Sequence, residues 1–235
     1  MNLPVIFGLN GSSDVGENTF GVSIFLDGCN LRCPYCMNSR LVLKDNLVPV
    51  DIGYVKKFVI GNKREWVTIS GGEPTLNEFL PNLIDELKSW GCKVGMSTNG
   101  TNNKALENVL GKLNYVALDI KTSIRKAELV YPNVLWSQTF KSYNSITQEW
   151  ARRSECKSDF NFEVRTTLYP LFVDKEDIVS IAGGLNYGHK WVLQQFRLAK
   201  NRLENNDIQP YSEEQVDELL KIAQKYIPTT SLGYV

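Results

Sequence analysis

The chain has almost no histidine, no excess of either charge and no long apolar run. His189 is the single histidine among 235 residues, which excludes a site built from several imidazoles and with it many zinc and non-haem iron enzymes. Lys and Arg total 26 and Asp and Glu total 26, so the formal net charge is zero. Nucleic-acid binders show a basic excess or stripe, so no nucleic-acid partner is expected. No apolar run approaches the ~18–20 residues that a membrane span needs, and no membrane partner is expected either. The opening Met1-Asn-Leu-Pro-Val-Ile-Phe-Gly8 lacks the basic flank and long apolar core of a signal peptide, which makes a cytoplasmic location the expectation. Internal repeats, low-complexity tracts and Gly/Ser linkers are absent as well. Cysteine is scarce: there are five, and Cys29, Cys33 and Cys36 fall close together. An even set spread along a short secreted chain would read as a disulfide framework. This clustering reads as metal ligation.

What is present is ordinary for a globular protein, with 43% hydrophobic and 22% charged residues. The length suits one sizeable core, so residues 1–235 are read as a single domain. Short β-branched or aromatic runs alternate with longer amphipathic segments. The candidate strands are Phe20–Leu26, Trp66–Ile69, Lys93–Ser97, Tyr115–Asp119, Phe162–Leu168 and Lys190–Gln195. Between the second and third, Thr75 and Glu78 have capping-box spacing, Leu80, Leu83, Ile84, Leu87 and Trp90 form one apolar face, and Gly91 is a stop. Near the C-terminus Ser212 and Gln215 repeat the capping spacing ahead of a stripe of Val216, Leu219, Leu220, Ala223 and Ile227. Strand–helix alternation of this kind predicts a parallel α/β sheet. The chain falls short of a closed eight-unit barrel, which typically needs ~250 residues. An open, partial (β/α)6 barrel is therefore expected, with a doubly wound sheet as the other arrangement the alternation permits.

Polar motifs sit where these strands end. Ser70-Gly71-Gly72-Glu73-Pro74 follows the second strand, Ser97-Thr98-Asn99-Gly100 ends the third, and Asp119-Ile120-Lys121 ends the fourth. In parallel α/β architectures the loops at the carboxyl ends of strands converge, and sites gather there.

The run Cys29-Asn-Leu-Arg-Cys33-Pro-Tyr-Cys36 carries the most chemistry. Thiolates are the usual ligands of iron–sulfur clusters, and three of them leave one iron of a [4Fe–4S] cube open to another ligand. A structural zinc site wants a closed set of four ligands, for which Cys92, Cys156 or His189 would have to supply the fourth.

A Cys-x3-Cys-x2-Cys motif after a first strand, followed by Gly-Gly-Glu-Pro after a second, resembles the radical S-adenosylmethionine (SAM) superfamily. The resemblance covers about Phe20 to about Tyr226 and implies the open-barrel fold. It further implies that Cys29, Cys33 and Cys36 ligate a [4Fe–4S] cluster whose open iron chelates SAM, which is split by one electron to a 5′-deoxyadenosyl radical. Gly71, Gly72 and Glu73 would form the edge that receives the SAM amino group, since glycine lets backbone approach a ligand and a carboxylate pairs with an ammonium. Tyr35 would lie near the adenine, with a packed aromatic as the alternative. Thr98 and Asn99 would border the methionine or ribose end.

A finer resemblance is to glycyl radical enzyme activating enzymes, of the type that serves anaerobic ribonucleoside-triphosphate reductase. It rests on Gly28–Cys36, Ser97–Gly100, Asp119–Lys121, Glu163-Val-Arg-Thr-Thr167 and Val192-Leu-Gln-Gln-Phe196. It implies that Asp119 and Lys121 help hold the SAM carboxylate and that Arg165 faces SAM, a structural salt bridge being the other reading of Arg165. Gln194 and Gln195 are candidates of which alternation points only one inward. The implied partners are a cognate glycyl radical enzyme and a flavodoxin- or ferredoxin-like electron donor. Two positions depart from the pattern. Met37 stands where activating enzymes commonly have His, and Ser97 stands where many have an acidic residue that contributes to a cation site beside SAM.

Cys92 and Cys156 are too few for a second four-cysteine cluster. A protein substrate docked over the open mouth would keep the radical dry. The aromatics Tyr131, Trp136, Phe140, Tyr143 and Trp150 fit helical core packing better than a docking face. Cys92 reads as a buried small hydrophobe, and Ala151-Arg-Arg-Ser-Glu155 as a solvated helix end. The rival functions are a radical SAM enzyme acting on a small molecule, of the 7-carboxy-7-deazaguanine synthase kind, one modifying another peptide or protein, and a non-enzymatic structural or redox-sensing metal protein.

Overall fold

The computed structural model describes residues 2–11, 21–132, 135–185, 189–204 and 206–233. Among the described residues eight strands form one sheet in sequence order: β1 (Gly8–Asn10), β2 (Gly21–Leu26), β3 (Trp66–Gly71), β4 (Lys93–Thr98), β5 (Tyr115–Asp119), β6 (Asn161–Leu168), β7 (Lys190–Gln195) and β8 (Ser231–Gly233). β1 is antiparallel to β2 and every later pair is parallel. The crossovers carry α1 (Ser39–Leu43) and α2 (Ile52–Gly61), α3 (Leu80–Ser89), α4 (Asn103–Leu110), α5 (Leu135–Glu155), α6 (Lys175–Gly183) and α7 (Glu213–Tyr226). A doubly wound sheet reverses its strand order at a switch point. This order never reverses, so the chain winds one way as an open barrel, with the six expected strands as β2 to β7. Phe20, the expected start of the first, lies outside the described residues. β1 and β8 extend the expected six at either edge.

Register sorts the strands into two faces. Val22, Ile24, Leu26, Val67, Ile69, Val94, Met96, Val116, Leu118, Val164 and Leu193 alternate onto one face, all fully buried in a core they share with Leu83, Ile84 and Leu87 of α3. The opposite face carries Ser70, Ser97, Asp119, Arg165, Thr167 and Gln194, because the pairs Asp119↔Arg165 and Thr167↔Gln194 are in register. Period-two alternation thus buries an apolar layer under the helices and turns a polar layer into the barrel.

One expected cap is corrected. Thr75 does not start the helix that follows it. Glu73 caps a short 3₁₀ turn, Pro74–Leu76, and draws the Thr75 side chain to itself. α3 begins only at Leu80, after Asn77 Oδ1 has accepted the Phe79 N–H at 3.0 Å, with a proline in the first turn where no N–H is needed. The stop holds, since Gly91 takes φ +83°. The second cap forms as expected: Ser212 Oγ accepts from Gln215 N and Gln215 Oε1 accepts from Ser212 N.

The aromatic stretch is core packing. Tyr131 and Tyr143 are buried, and Trp136, Phe140 and Trp150 pack partly buried against the same core. Cys92 is a buried thiol whose sulfur lies 3.8 Å from Arg64 O. The end of α5 is solvated except at Arg153, which lies over the Phe160 ring and donates to Leu113 O at 2.7 Å.

Candidate functional site

The carboxyl ends of β2, β3, β4 and β5 converge on a cavity of about 150 Å³ lined by Cys29, Cys33, Cys36, the Gly71–Glu73 edge, Asn99 and Lys121. A second cavity of about 300 Å³ opens beside it and adds Met37, Arg165, Thr167 and Gln194. Asp119, Lys121, Ser70 and Ser97 line both.

The cysteine loop leaves β2 through Gly28, at φ +77°, and its N–H is anchored to Leu41 O at 2.8 Å. Cys36 N donates to Cys33 O at 3.0 Å, and Leu31 N donates to Cys29 Sγ at 3.4 Å. Burial pushes the Cys33 thiol up to about 12 and raises Cys29 and Cys36 as well. Such a pocket favours thiolates only when a cationic group occupies it.

A strap after β7 holds this loop down. Leu203 N donates to Cys36 O and Glu204 N to Pro34 O, each at 3.0 Å, while Asn201 Nδ2 donates to Met37 O at 2.6 Å.

The glycine edge is welded to the same loop. Gly72 N donates to Leu26 O at 2.9 Å and Glu73 N to Gly28 O at 2.7 Å. A Cβ at Gly71, which sits at φ +120°, would overlap Leu26 backbone, and one at Gly72 would overlap Gly28 O. Only glycine permits this approach. Glu73 is buried, and Oε1 accepts from Thr75 N (3.1 Å), Thr75 Oγ1 (2.6 Å) and Thr98 Oγ1 (2.7 Å). Oε2 accepts from Asn99 N at 2.7 Å. Burial raises its pKa against these donors. The carboxylate therefore clamps β3 to β4, and Oε2, with a single donor against three on Oε1, is the oxygen with acceptor capacity to offer. Thr98 is spent in the same clamp, its hydroxyl also accepting from Gly100 N at 3.0 Å.

Asp119 and Lys121 form an ion pair at 2.8 Å, with Lys121 N donating to Tyr131 Oη at 3.0 Å. Desolvation opposes the ammonium, but the Asp119 carboxylate holds its pKa well above the ordinary lysine value. Arg165 Nε donates to Glu163 Oε1 at 2.5 Å, so the salt bridge and the cavity wall both use this residue. Gln194 points inward beside Thr167. Gln195 also borders the second cavity, yet its Nε2 donates to Tyr211 O at 2.9 Å. Tyr35 packs its ring on Tyr169 (5.1 Å between centroids), Phe172 and Phe196 as an aromatic wall. The Ser97 hydroxyl is buried with no hydrogen-bond partner among the described residues, which suits a polar occupant.

The closed zinc alternative fails on geometry. Cys92 is turned to Arg64, Cys156 is exposed, and His189 is stacked on Phe162. None of them lines the cavity, and among the described residues no three His, Cys, Asp or Glu side chains converge on one ion. Three thiols around one cavity suit a larger group.

Four contributors had no sequence signal strong enough to single them out. Asn38 donates to Gly71 O at 3.0 Å, Asn30 and Thr101 join Asn99, and Asn201 ties the strap.

The model of the radical SAM superfamily matches residues 23–144. A Methanocaldococcus jannaschii protein named as a candidate glycyl-radical enzyme activating enzyme is 30% identical over 219 residues, covering 87% of this chain and 85% of the relative. A 7-carboxy-7-deazaguanine synthase of Aquifex aeolicus is 38% identical over 87 residues, 34% of this chain and 36% of the relative. Among solved structures, Streptococcus suis SuiB bound to its precursor peptide SuiA superposes with TM-score 0.65 at 14% identity, over 90% of this chain and 48% of that one. That likeness speaks to the fold, and the chain spans about half of SuiB. Motif, fold and family model agree, and the chain belongs to the radical SAM superfamily.

Proposed function

We propose that this enzyme generates a glycyl radical on a partner enzyme, the anaerobic ribonucleoside-triphosphate reductase being the partner type its motifs resemble. The family implies a [4Fe–4S] cluster and SAM, and Cys29, Cys33 and Cys36 would hold the cluster. When bound, the pair supplies one-electron cleavage of the sulfonium C–S bond to a 5′-deoxyadenosyl radical. This chain's residues bind and orient. Gly71, Gly72 and Oε2 of Glu73 would take the SAM amino group, with Thr98 and Asn99 bordering the methionine or ribose. Lys121, poised by Asp119, would take the carboxylate. Tyr35 would wall the adenine. Arg165 and Gln194 would face the second cavity, where Gln195 has a lesser share because its amide is committed to Tyr211. A partner loop entering that cavity would displace water and present its glycyl Cα–H. A flavodoxin- or ferredoxin-like donor would supply the electron, in the cytoplasm.

The observation that carries this reading is the span of the match. The candidate activating enzyme aligns over 87% of this chain, whereas the deazaguanine synthase aligns over 34%. The local match is what keeps the small-molecule reading in play.

The test uses the cells' own extract from growth on α,α-dideuterated glycine, divided into a protein fraction and a small-molecule filtrate. Each is added anaerobically to the reconstituted, reduced enzyme with SAM. Deuterium in 5′-deoxyadenosine with the protein fraction is expected, together with a glycyl radical EPR signal that is a doublet with unlabelled protein and collapses towards a single line when the remaining α-hydrogen is deuterium. Turnover with the filtrate alone would sink the activating role and favour the small-molecule reading.

A further inference from the structure

Asn30, Asn99 and Thr101 close a ring of hydrogen bonds beside Cys29. Asn99 Oδ1 accepts both the Thr101 N–H at 2.9 Å and the Thr101 hydroxyl at 2.6 Å. The Thr101 oxygen in turn accepts from Asn30 Nδ2 at 2.8 Å, and Asn30 Oδ1 accepts from Asn99 Nδ2 at 3.1 Å. The Thr101 N–H fixes the Asn99 amide, because a flip would set its NH2 group against that backbone donor. One Nδ2 proton goes to Asn30, and the other faces Cys29 Sγ, 3.9 Å away. Asn99 and Thr101 are buried, so water does not compete for this contact. Leu31 N–H, at 3.4 Å, is a second donor to the same sulfur.

We propose that the Asn30–Asn99–Thr101 ring aims an amide N–H at the Cys29 thiolate and thereby raises the reduction potential of the iron–sulfur cluster that this thiolate ligates. The inference rests on the radical SAM reading of the site. Hydrogen bonds to ligand sulfur stabilise the extra electron density of the reduced cluster, and outer partners that orient a ligand tune the metal it binds. A charged sulfur draws such a donor closer than a neutral one does. Asn99 is the donor. Asn30 and Thr101 are positioning residues that act through it.

The test is an EPR-monitored redox titration of the full-length, anaerobically reconstituted protein without SAM, with iron and sulfide counted in every sample. At the potential that half-reduces the wild-type cluster, Asn99→Leu is expected to lower the reduced-to-oxidised ratio about tenfold, which is 59 mV for a one-electron couple. Thr101→Val, which keeps the Asn99 amide but removes the hydroxyl from the ring, is expected to shift the midpoint the same way by less. A wild-type midpoint in both variants at full iron content would overturn the proposal. Should Asn99→Leu fail to assemble a cluster, Thr101→Val decides alone, and an unchanged midpoint there overturns it. Failure of the wild-type protein to show a [4Fe–4S] signal would instead defeat the radical SAM reading, and the role of the ring with it.

Discussion

His189 offers a clean test of the packing beneath the site, because it is the chain's one histidine. It is 5% exposed, its ring stacks on Phe162 at 5.1 Å and meets the edge of Tyr143 at 5.4 Å, and its Nε2 has no hydrogen-bond partner among the described residues. Desolvation in this aromatic slot lowers its pKa from 6.5 to about 4. The unfolded chain therefore binds a proton that the folded chain refuses between those values, and stability falls as pH drops through that window. Linkage with these two values gives a loss of about 2 kcal/mol between pH 7.5 and pH 5, and at most about 3 kcal/mol below pH 4. For a protein of this size that is roughly 4–8 °C in melting temperature at pH 5. The perturbation is His189→Leu, and the assay is anaerobic urea unfolding of wild type and variant at both pH values. Carboxylates titrate in both proteins and cancel in the comparison. Wild type should lose about 2 kcal/mol more than the variant on acidification. Equal losses, within about 0.5 kcal/mol, would refute a desolvated His189.

The remaining predictions concern the site. Cys33→Ala should abolish cluster assembly, and retention of three or more irons per chain would contradict its role as a ligand. Gly72→Ala forces a Cβ onto Gly28 O, so the cysteine loop must move. Iron content should collapse, and stability should fall by more than about 2 kcal/mol in urea unfolding, whereas a wild-type iron count would show that the weld is not needed. Asn201→Ala removes a 2.6 Å bond to Met37 O. It should cost about 1 kcal/mol and speed amide exchange across residues 35–39, and unchanged exchange there would deny the strap its hold.

Much of this was legible in the sequence, for reasons particular residues make plain. Tyr115–Asp119 and Lys190–Gln195 form strands with the expected bounds, because each is a short β-branched or aromatic run, buried over most of its length, that ends in polar residues at the cavity. β1 and β8 were not legible. Gly-Leu-Asn and Ser-Leu-Gly are too short to show a period, and only the neighbouring strand makes them strands. Thr75 misled because a hydroxyl three residues before a glutamate looks like a cap wherever it occurs. Its partner proved to be Glu73, two residues back. The cavity residues Cys29, Gly72, Asp119 and Lys121 sit on motifs with characteristic spacing. Asn30 fills a variable position of the cysteine motif and Asn201 lies on no motif, and each finds its partner far along the chain, at Thr101 and Met37. Such contacts follow from topology, not from spacing.

The most direct test of the whole account is SAM cleavage by the anaerobically reconstituted protein, reduced with dithionite and supplied with the protein fraction of its own cells. The account predicts 5′-deoxyadenosine by mass spectrometry, at a rate that the protein fraction increases. A sample with a verified [4Fe–4S] cluster that yields no 5′-deoxyadenosine under these conditions would contradict it.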